Sequence, residues 1–158
     1  MRRIGVWGVW AVVLCGLVAL PVLAQDKPAD TMQIVREKIQ ADKKLLVAAN
    51  MGLTEKEAQA FWPVYESYQK DLGLLNGRML VLIQDFANNY QAMTDDAARK
   101  LVGEYLAIEG DRVKLKQSYL PKLRQALPEK KVARYLQIEN KIEAVIRYEL
   151  AEKIPLVK

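Results

Sequence analysis

The longest regular pattern of apolar positions in the chain runs from Phe61 to Phe86. Large apolar side chains recur there in alternating steps of four and three residues, at Phe61, Tyr65, Tyr68, Leu72, Leu75, Met79, Leu82 and Phe86. Residues three and four apart lie on the same face of a helix, so this spacing predicts one long amphipathic helix. An apolar seam of that length needs partner helices to cover it.

Shorter patterns of the same kind predict three more helices. The first helix is expected over residues 31–49, with apolar positions at Met32, Val35, Ile39 and Leu46. The third carries its stripe at Ala98, Leu101, Tyr105, Ile108, Leu115 and Tyr119. The fourth has its apolar face at Val132, Tyr135, Leu136, Ile142, Val145, Ile146 and Leu150. Because no strand-like alternation is present, the chain is predicted to be all-α, a four-helix antiparallel hairpin or bundle of long amphipathic helices.

Capping residues mark where these helices begin. Thr54 and Glu57 have the spacing of a capping box, in which the Thr54 hydroxyl accepts from the Glu57 amide and the Glu57 carboxylate accepts from the Thr54 amide. Asp30 is the expected N-cap of the first helix, and Thr94 that of the third. At the other end of the first helix, Gly52 provides a stop signal.

Three prolines predict where helices kink, end or begin. Pro63 lies inside the central helix and is expected to kink it, and Pro121 is expected to bend or end the third helix after Leu120. Pro128 is expected in the first position of the fourth helix, where a missing N–H costs nothing. The apolar tail over residues 154–157 is expected to dock on the bundle.

The N-terminal segment is typical of a secretory signal peptide. Arg2 and Arg3 precede an apolar run that ends in Pro21, and small or branched residues then lead to a cleavage site between Ala24 and Gln25. The alternative is an uncleaved membrane anchor, but the glycines within the run, Pro21 and the cleavage site favour removal. The expected products are a signal peptide over residues 1–24 and a single all-helical domain over 25–158. Without cysteines in the mature part, the bacterial periplasm is the expected location.

The residue types that are missing limit the chemistry. The chain has no histidine, and its one cysteine, Cys15, lies in the N-terminal apolar run. Histidine- or cysteine-dependent nucleophilic catalysis and transition-metal sites are therefore excluded. Carboxylates at 95–96 and 109–111 are of the type that binds hard cations, but the first pair is explained by its place at a helix start. We expect no enzymatic activity, no metal and no cofactor.

Two stretches are candidates for binding a partner. Trp62 and Tyr65 belong to an aromatic cluster near the predicted kink, and Trp62 lies about 100° around the helix from the seam residue Phe61. Such aromatics often dominate binding surfaces, and the alternative is that they pack in the core.

The second stretch, residues 112–134, has eight basic residues and one acidic residue, Glu129. Arg112, Lys116 and Arg124 are its candidate contact residues, for acidic segments of unfolded clients, an acidic partner protein or anionic lipid. The alternative is an ordinary solvated face. Nucleic acid is not expected, because the chain is predicted to be exported and has no known nucleic-acid motif.

The helix starts resemble those of the Spy/CpxP-type periplasmic proteins, which carry LTxxQ motifs. The similar stretches are 53–57 (LTEKE), 93–97 (MTDDA) and 127–131 (LPEKK). In the first stretch, Glu57 replaces the Gln of the LTxxQ motif. In the third stretch, Pro128 replaces its Thr. The resemblance implies a thin four-helix hairpin that forms a homodimeric cradle, which binds unfolded envelope proteins without ATP or restrains a stress-sensing kinase.

These observations favour an exported, ATP-independent chaperone or envelope-stress adaptor that binds unfolded proteins or a sensor partner. The alternative is a membrane-tethered or membrane-surface structural helical protein of the cell envelope. Retention of residues 1–24, with salt-sensitive binding to anionic vesicles, would favour that alternative.

Overall fold

The computed structural model describes residues 42–157, which form four helices. Helix α1 is described over 42–51, and α2 spans Glu55–Asn89; after a short 3-10 turn at Tyr90–Ala92 come α3, Asp95–Ala126, and α4, Glu129–Lys153. No strand occurs in this part of the chain, and the predicted all-α class is confirmed. The expected cap at Asp30 and the expected cleavage site at Ala24 and Gln25 lie outside the described residues.

Contacts between side chains establish the directions of the helices. Along α2 and α3, Asp71 meets Tyr119 while Arg78 meets Asp111, so the two helices are antiparallel. Helix α4 runs antiparallel to α3, because Lys116 bonds Glu143 whereas Glu109 bonds Arg147. Helix α1 is antiparallel to α2, through Lys44 to Glu66 and Lys43 to Gln69.

The apolar seam of α2 faces the other helices as its spacing predicts. Phe61, Tyr65, Tyr68, Leu72 and Leu82 are buried, and the remaining three seam residues are half-buried. The core that they build with the other helices also contains Val47, Met51, Tyr119, Leu123, Leu127, Val132 and Tyr135. Burial of these large side chains supplies the main driving force for assembling the helices.

Aromatic rings fill the centre of this core. Tyr135 of α4 meets three rings of α2 edge to face, with centroid distances of 5.1 Å to Phe61, 6.1 Å to Tyr65 and 6.3 Å to Tyr68. Burial raises the pKa of all three tyrosines well above the ordinary value, because a phenolate would lose its hydration there. The hydroxyls are therefore neutral throughout the physiological range.

Local chemistry at the helix ends agrees with the residue types there. The Thr54 hydroxyl accepts from the Glu57 amide at 3.3 Å, and the Glu57 carboxylate accepts from the Thr54 amide at 2.7 Å. Thr94 accepts from the Ala97 amide at the start of α3. Gly52 follows α1 with φ 54°, the left-handed conformation that glycine adopts without a steric penalty.

At the prolines, one prediction is wrong and one of two expected alternatives is removed. Helix α3 continues through Pro121 to Ala126 instead of ending at Leu120. Burial of Leu123 beyond the proline holds the last turns in place and offsets the lost backbone bond. Pro128 is the N-cap of α4 and not its first helical residue. Helix α2 continues without a break through Pro63, as expected, and the kink expected there stays a prediction.

The predicted apolar faces of α1 and α4 are partly wrong as well. In α1, Val47 is buried completely, whereas Leu46 is 47% exposed, so the buried face lies one residue away from the expected one. In α4, Val145 and Ile146 are exposed, and the tail residue Leu156 is 90% exposed instead of docked. Within residues 42–157, none of the helices combines the length and apolar character that a membrane crossing requires.

Candidate binding surface

The two predicted aromatic contact residues have different environments. Tyr65 is only 3% exposed, so it packs in the core, which is the alternative to a contact with a client or partner. Trp62 is half-buried at the edge of the same cluster, with its ring 5.1 Å from Phe61 and 5.3 Å from Tyr65. The Lys44 ammonium lies 5.2 Å from the Trp62 ring centre, which is a cation–π distance.

The three candidate contact residues of the basic stretch 112–134 are already engaged by other side chains. Arg124 forms a two-pronged contact with Glu129, at 2.8 to 3.2 Å, and Lys116 bonds Glu143 at 2.9 Å. Arg112 has a side chain only 12% exposed. The carboxylates that neutralise Lys116 and Arg112 come partly from α4, which sequence distance alone does not reveal.

Arg112 is the centre of a charge network that joins three helices. Its guanidinium donates to Asn76 of α2 at 2.8 Å and lies 3.6 Å from Glu109 and 4.0 Å from Glu143 of α4. Glu109 in turn accepts from Arg147 at 2.7 Å. We call the set Glu109, Arg112, Lys116, Glu143 and Arg147 the α3–α4 network.

Ionisation of Glu143 reflects two opposing effects within this network. Burial acts against the charged form, but the hydrogen bonds from Lys116 and Arg147 outweigh it and hold the pKa of Glu143 below its usual range. The same carboxylate raises the pKa of Arg147, after the larger effect of Glu109. Glu143 and Arg147 are therefore both charged near neutral pH, and the attraction between them is electrostatic.

A second polar cluster lies inside the core. Lys43 of α1 donates to Glu139 of α4 at 2.7 Å and to Gln69 of α2 at 2.9 Å. The Gln69 amide donates to Glu139 at 2.9 Å and to the Tyr135 hydroxyl at 3.3 Å. With Glu139 only 4% exposed, this cluster is a structural connection between helices and is not available to a partner.

The exposed surface has an apolar stripe that the sequence analysis did not identify. Val102, Leu106 and Val113 are 58%, 61% and 55% exposed. Their steps of four and seven residues place them on one face of α3, distinct from the face that carries Ile108 and Tyr119 towards the core. A search for a second helical period in α3 would have found this set, which we call the α3 stripe.

Exposed apolar residues are concentrated in one half of the described structure. We call residues 42–72 and 114–139 the core half, and residues 73–113 and 140–157 the outer half. Among the described residues, twelve of the fourteen exposed large apolar side chains belong to the outer half, and eleven of the thirteen buried ones to the core half. An outer half rich in exposed apolar side chains is typical of a binding surface.

Exposed apolar side chains of this kind suit association with other molecules. Most of the titratable side chains that converge are the ion pairs described above, and within residues 42–157 Oε1 of Glu109 and Nε of Arg112 are buried without a hydrogen-bond partner. No group of three or more carboxylates in residues 42–157 is placed to hold a metal ion. Comparison with known proteins gives no match to any family model, curated protein or solved structure.

Proposed function

We propose that this protein is an exported, non-catalytic binding protein of the periplasm, acting without ATP as a chaperone or envelope-stress adaptor. In this proposal residues 1–24 are removed as a signal peptide. The described helices then form a four-helix antiparallel bundle. The observation that carries the proposal is the α3 stripe, a row of half-exposed apolar side chains on a helix that is held firmly by the core half.

Binding would depend on the shape and chemistry of this stripe. Val102, Leu106 and Val113 offer a narrow apolar row without a deep pocket, which suits short apolar segments of many sequences. The charges next to it, Glu109 and Lys116, are already paired with α4. A client therefore gains mainly from apolar burial, and the expected affinity is weak and tolerant of sequence.

Suppression of aggregation tests this proposal directly. A chemically denatured model client is diluted into the purified 25–158 protein without ATP, and light scattering is followed as the protein-to-client ratio increases. Wild-type protein should suppress scattering near a stoichiometric ratio. Leu106→Ser should require about fivefold more protein, because losing one partly buried leucine contact costs about 1 kcal/mol.

The matched control is Leu45→Ser. Leu45 is as exposed as Leu106, at 68% against 61%, but it lies on α1 in the core half. This variant should suppress scattering as well as wild type does. Equal losses in both variants would place the activity elsewhere, and no suppression by a folded wild-type sample at several-fold excess would eliminate the chaperone proposal.

A second candidate function, binding to an anionic membrane surface, has its own support on α4. Lys130, Lys141 and Tyr148 share one face of this helix, and Tyr148 is 73% exposed. Cations beside an exposed tyrosine suit the boundary between lipid headgroups and acyl chains. Salt-sensitive sedimentation with anionic but not neutral vesicles, lost in Lys130→Gln/Lys141→Gln, would favour this function.

A further inference from the structure

The attachment of α4 changes in kind along its length. Up to Glu139 the helix is held by buried side chains, among them Val132 and Tyr135, which are 2% and 0% exposed. From residue 140 to residue 153 no side chain is buried, and Val145 and Tyr148 are more than half exposed. We call residues 140–153 the outer segment of α4.

Charge pairs are the polar connections between the outer segment and its neighbours, beside the half-buried Ile142 and Leu150. In the described part of the chain, every hydrogen bond or ion pair from this segment to another helix is made by Glu143 or Arg147. Their partners Glu109, Arg112 and Lys116 all lie on α3. The side chains of the α3–α4 network are between 12% and 46% exposed, so water and salt reach most of them.

We propose that the outer segment of α4 is a strap latched to α3 by the α3–α4 network, which detaches when ionic strength rises or when a charged ligand competes for the network. This goes beyond the proposed function, since it concerns access to the apolar surfaces and not the client itself. Detachment would uncover the half-buried side chains Ile142 and Leu150 and enlarge the apolar surface of the outer half.

The physical reason is the difference between the two kinds of attachment. Added salt screens attraction between partly exposed charges, with a screening length of about 10 Å at 0.1 M and about 3 Å at 1 M. Apolar burial is not weakened by salt in this way, and the inner part of α4 is held by such burial. A detached segment also loses the tertiary packing that stabilises its helix, so its end frays and its amides exchange faster.

Hydrogen exchange of the 25–158 protein, measured by mass spectrometry without any client, tests the strap. Raising NaCl from about 0.05 M to about 1 M should accelerate exchange over 140–153 roughly tenfold, the effect of losing two or three ion pairs of modest strength. Exchange over 129–139 should not change. Glu143→Gln should exchange rapidly over 140–153 even at low salt, with little further effect of salt.

The matched control is Glu149→Gln, which removes a charge of the same sign from the same segment that has no ion-pair partner within residues 42–157, and it should behave as wild type. If Glu143→Gln unfolds the protein, Lys116→Gln removes one ion pair of the α3–α4 network. It should show the same local acceleration of exchange at about half the size on a logarithmic scale.

Slow, salt-insensitive exchange over 140–153 in wild type would overturn the proposal. Equal acceleration over 129–139 and 140–153 would overturn it too, because α4 would then open as one unit. Since no client is present, these outcomes are independent of the aggregation assay.

Discussion

At the scale of single residues, Glu139 shows how a charged side chain is accommodated in the core. It stands in the apolar pattern of α4, yet it is 4% exposed and accepts hydrogen bonds from Lys43 and Gln69. Burying a charge is costly unless it is paired and its remaining lone pairs are satisfied. Since the three side chains come from three helices, the cluster also selects one relative position of α1, α2 and α4.

Replacing Glu139 by Gln should therefore destabilise the protein by about 3 kcal/mol, because Lys43 keeps its charge and loses its counter-ion in a site that is 14% exposed. The measurement is urea-induced unfolding followed by far-ultraviolet circular dichroism. Glu149→Gln, on the exposed face of the same helix, is the control and should change stability by less than about 0.5 kcal/mol. A Glu139→Gln variant as stable as the control would show that the cluster contributes little.

At the scale of an element, the start of α2 is connected to α4 by a charge. Lys131 of α4 donates to the Glu57 carboxylate, which also accepts from the Thr54 amide. These contacts, that from Lys131 first, lower the pKa of Glu57 to about 2. The capping box thus does more than begin a helix, because it joins α2 to the helix that packs on it.

The depressed pKa of Glu57 predicts how stability depends on pH. A folded-state pKa of about 2, below the ordinary 4.5, means that Glu57 stabilises the fold fully above 4.5 and loses this effect as pH falls towards 2. Glu57→Gln should therefore be less stable than wild type near neutral pH, and the difference should vanish near pH 2. Chemical unfolding at several pH values measures it. A difference that stays constant with pH would assign the effect to capping geometry and not to charge.

At the scale of the whole molecule, stability and exposed apolar surface belong to different halves. The core half contains the aromatic cluster and the buried polar cluster, while the outer half contains the α3 stripe and the outer segment of α4. The packed core half holds the outer half in place, although the apolar side chains of the outer half are only partly buried. This separation lets the outer half expose apolar side chains without loss of the fold.

Two leucines of α3 provide a matched test of this separation. Leu123 is 1% exposed in the core half, and Leu106 is 61% exposed in the outer half. Leu123→Ala should destabilise the fold by about 3 kcal/mol through lost burial and a residual cavity, whereas Leu106→Ala should change it by less than about 0.5 kcal/mol. Thermal or urea unfolding measures both. A comparable cost in Leu106→Ala would mean that the α3 stripe is part of the core.

The sequence by itself determined the helical class, the central seam and two of the helix starts. Period and capping depend on residues within a few turns of one another, so Phe61 to Phe86 predicts a buried face and Thr54 with Glu57 predicts a start without knowledge of the partner helices. The all-α class follows from these local signals. The stop at Gly52 follows in the same way, because only the adjacent backbone is involved.

Only the tertiary structure decided which of several possible faces is covered. Leu46 and Val47 are both apolar, and Val47 is buried because α1 meets its neighbours on that side. Tyr65 is removed from the surface and Arg112 is neutralised by residues that are distant in the chain, such as Tyr135 and Glu143. These outcomes depend on how helices pack and not on local preference, so the α3 stripe and the outer segment of α4 emerge only once the helices are assembled.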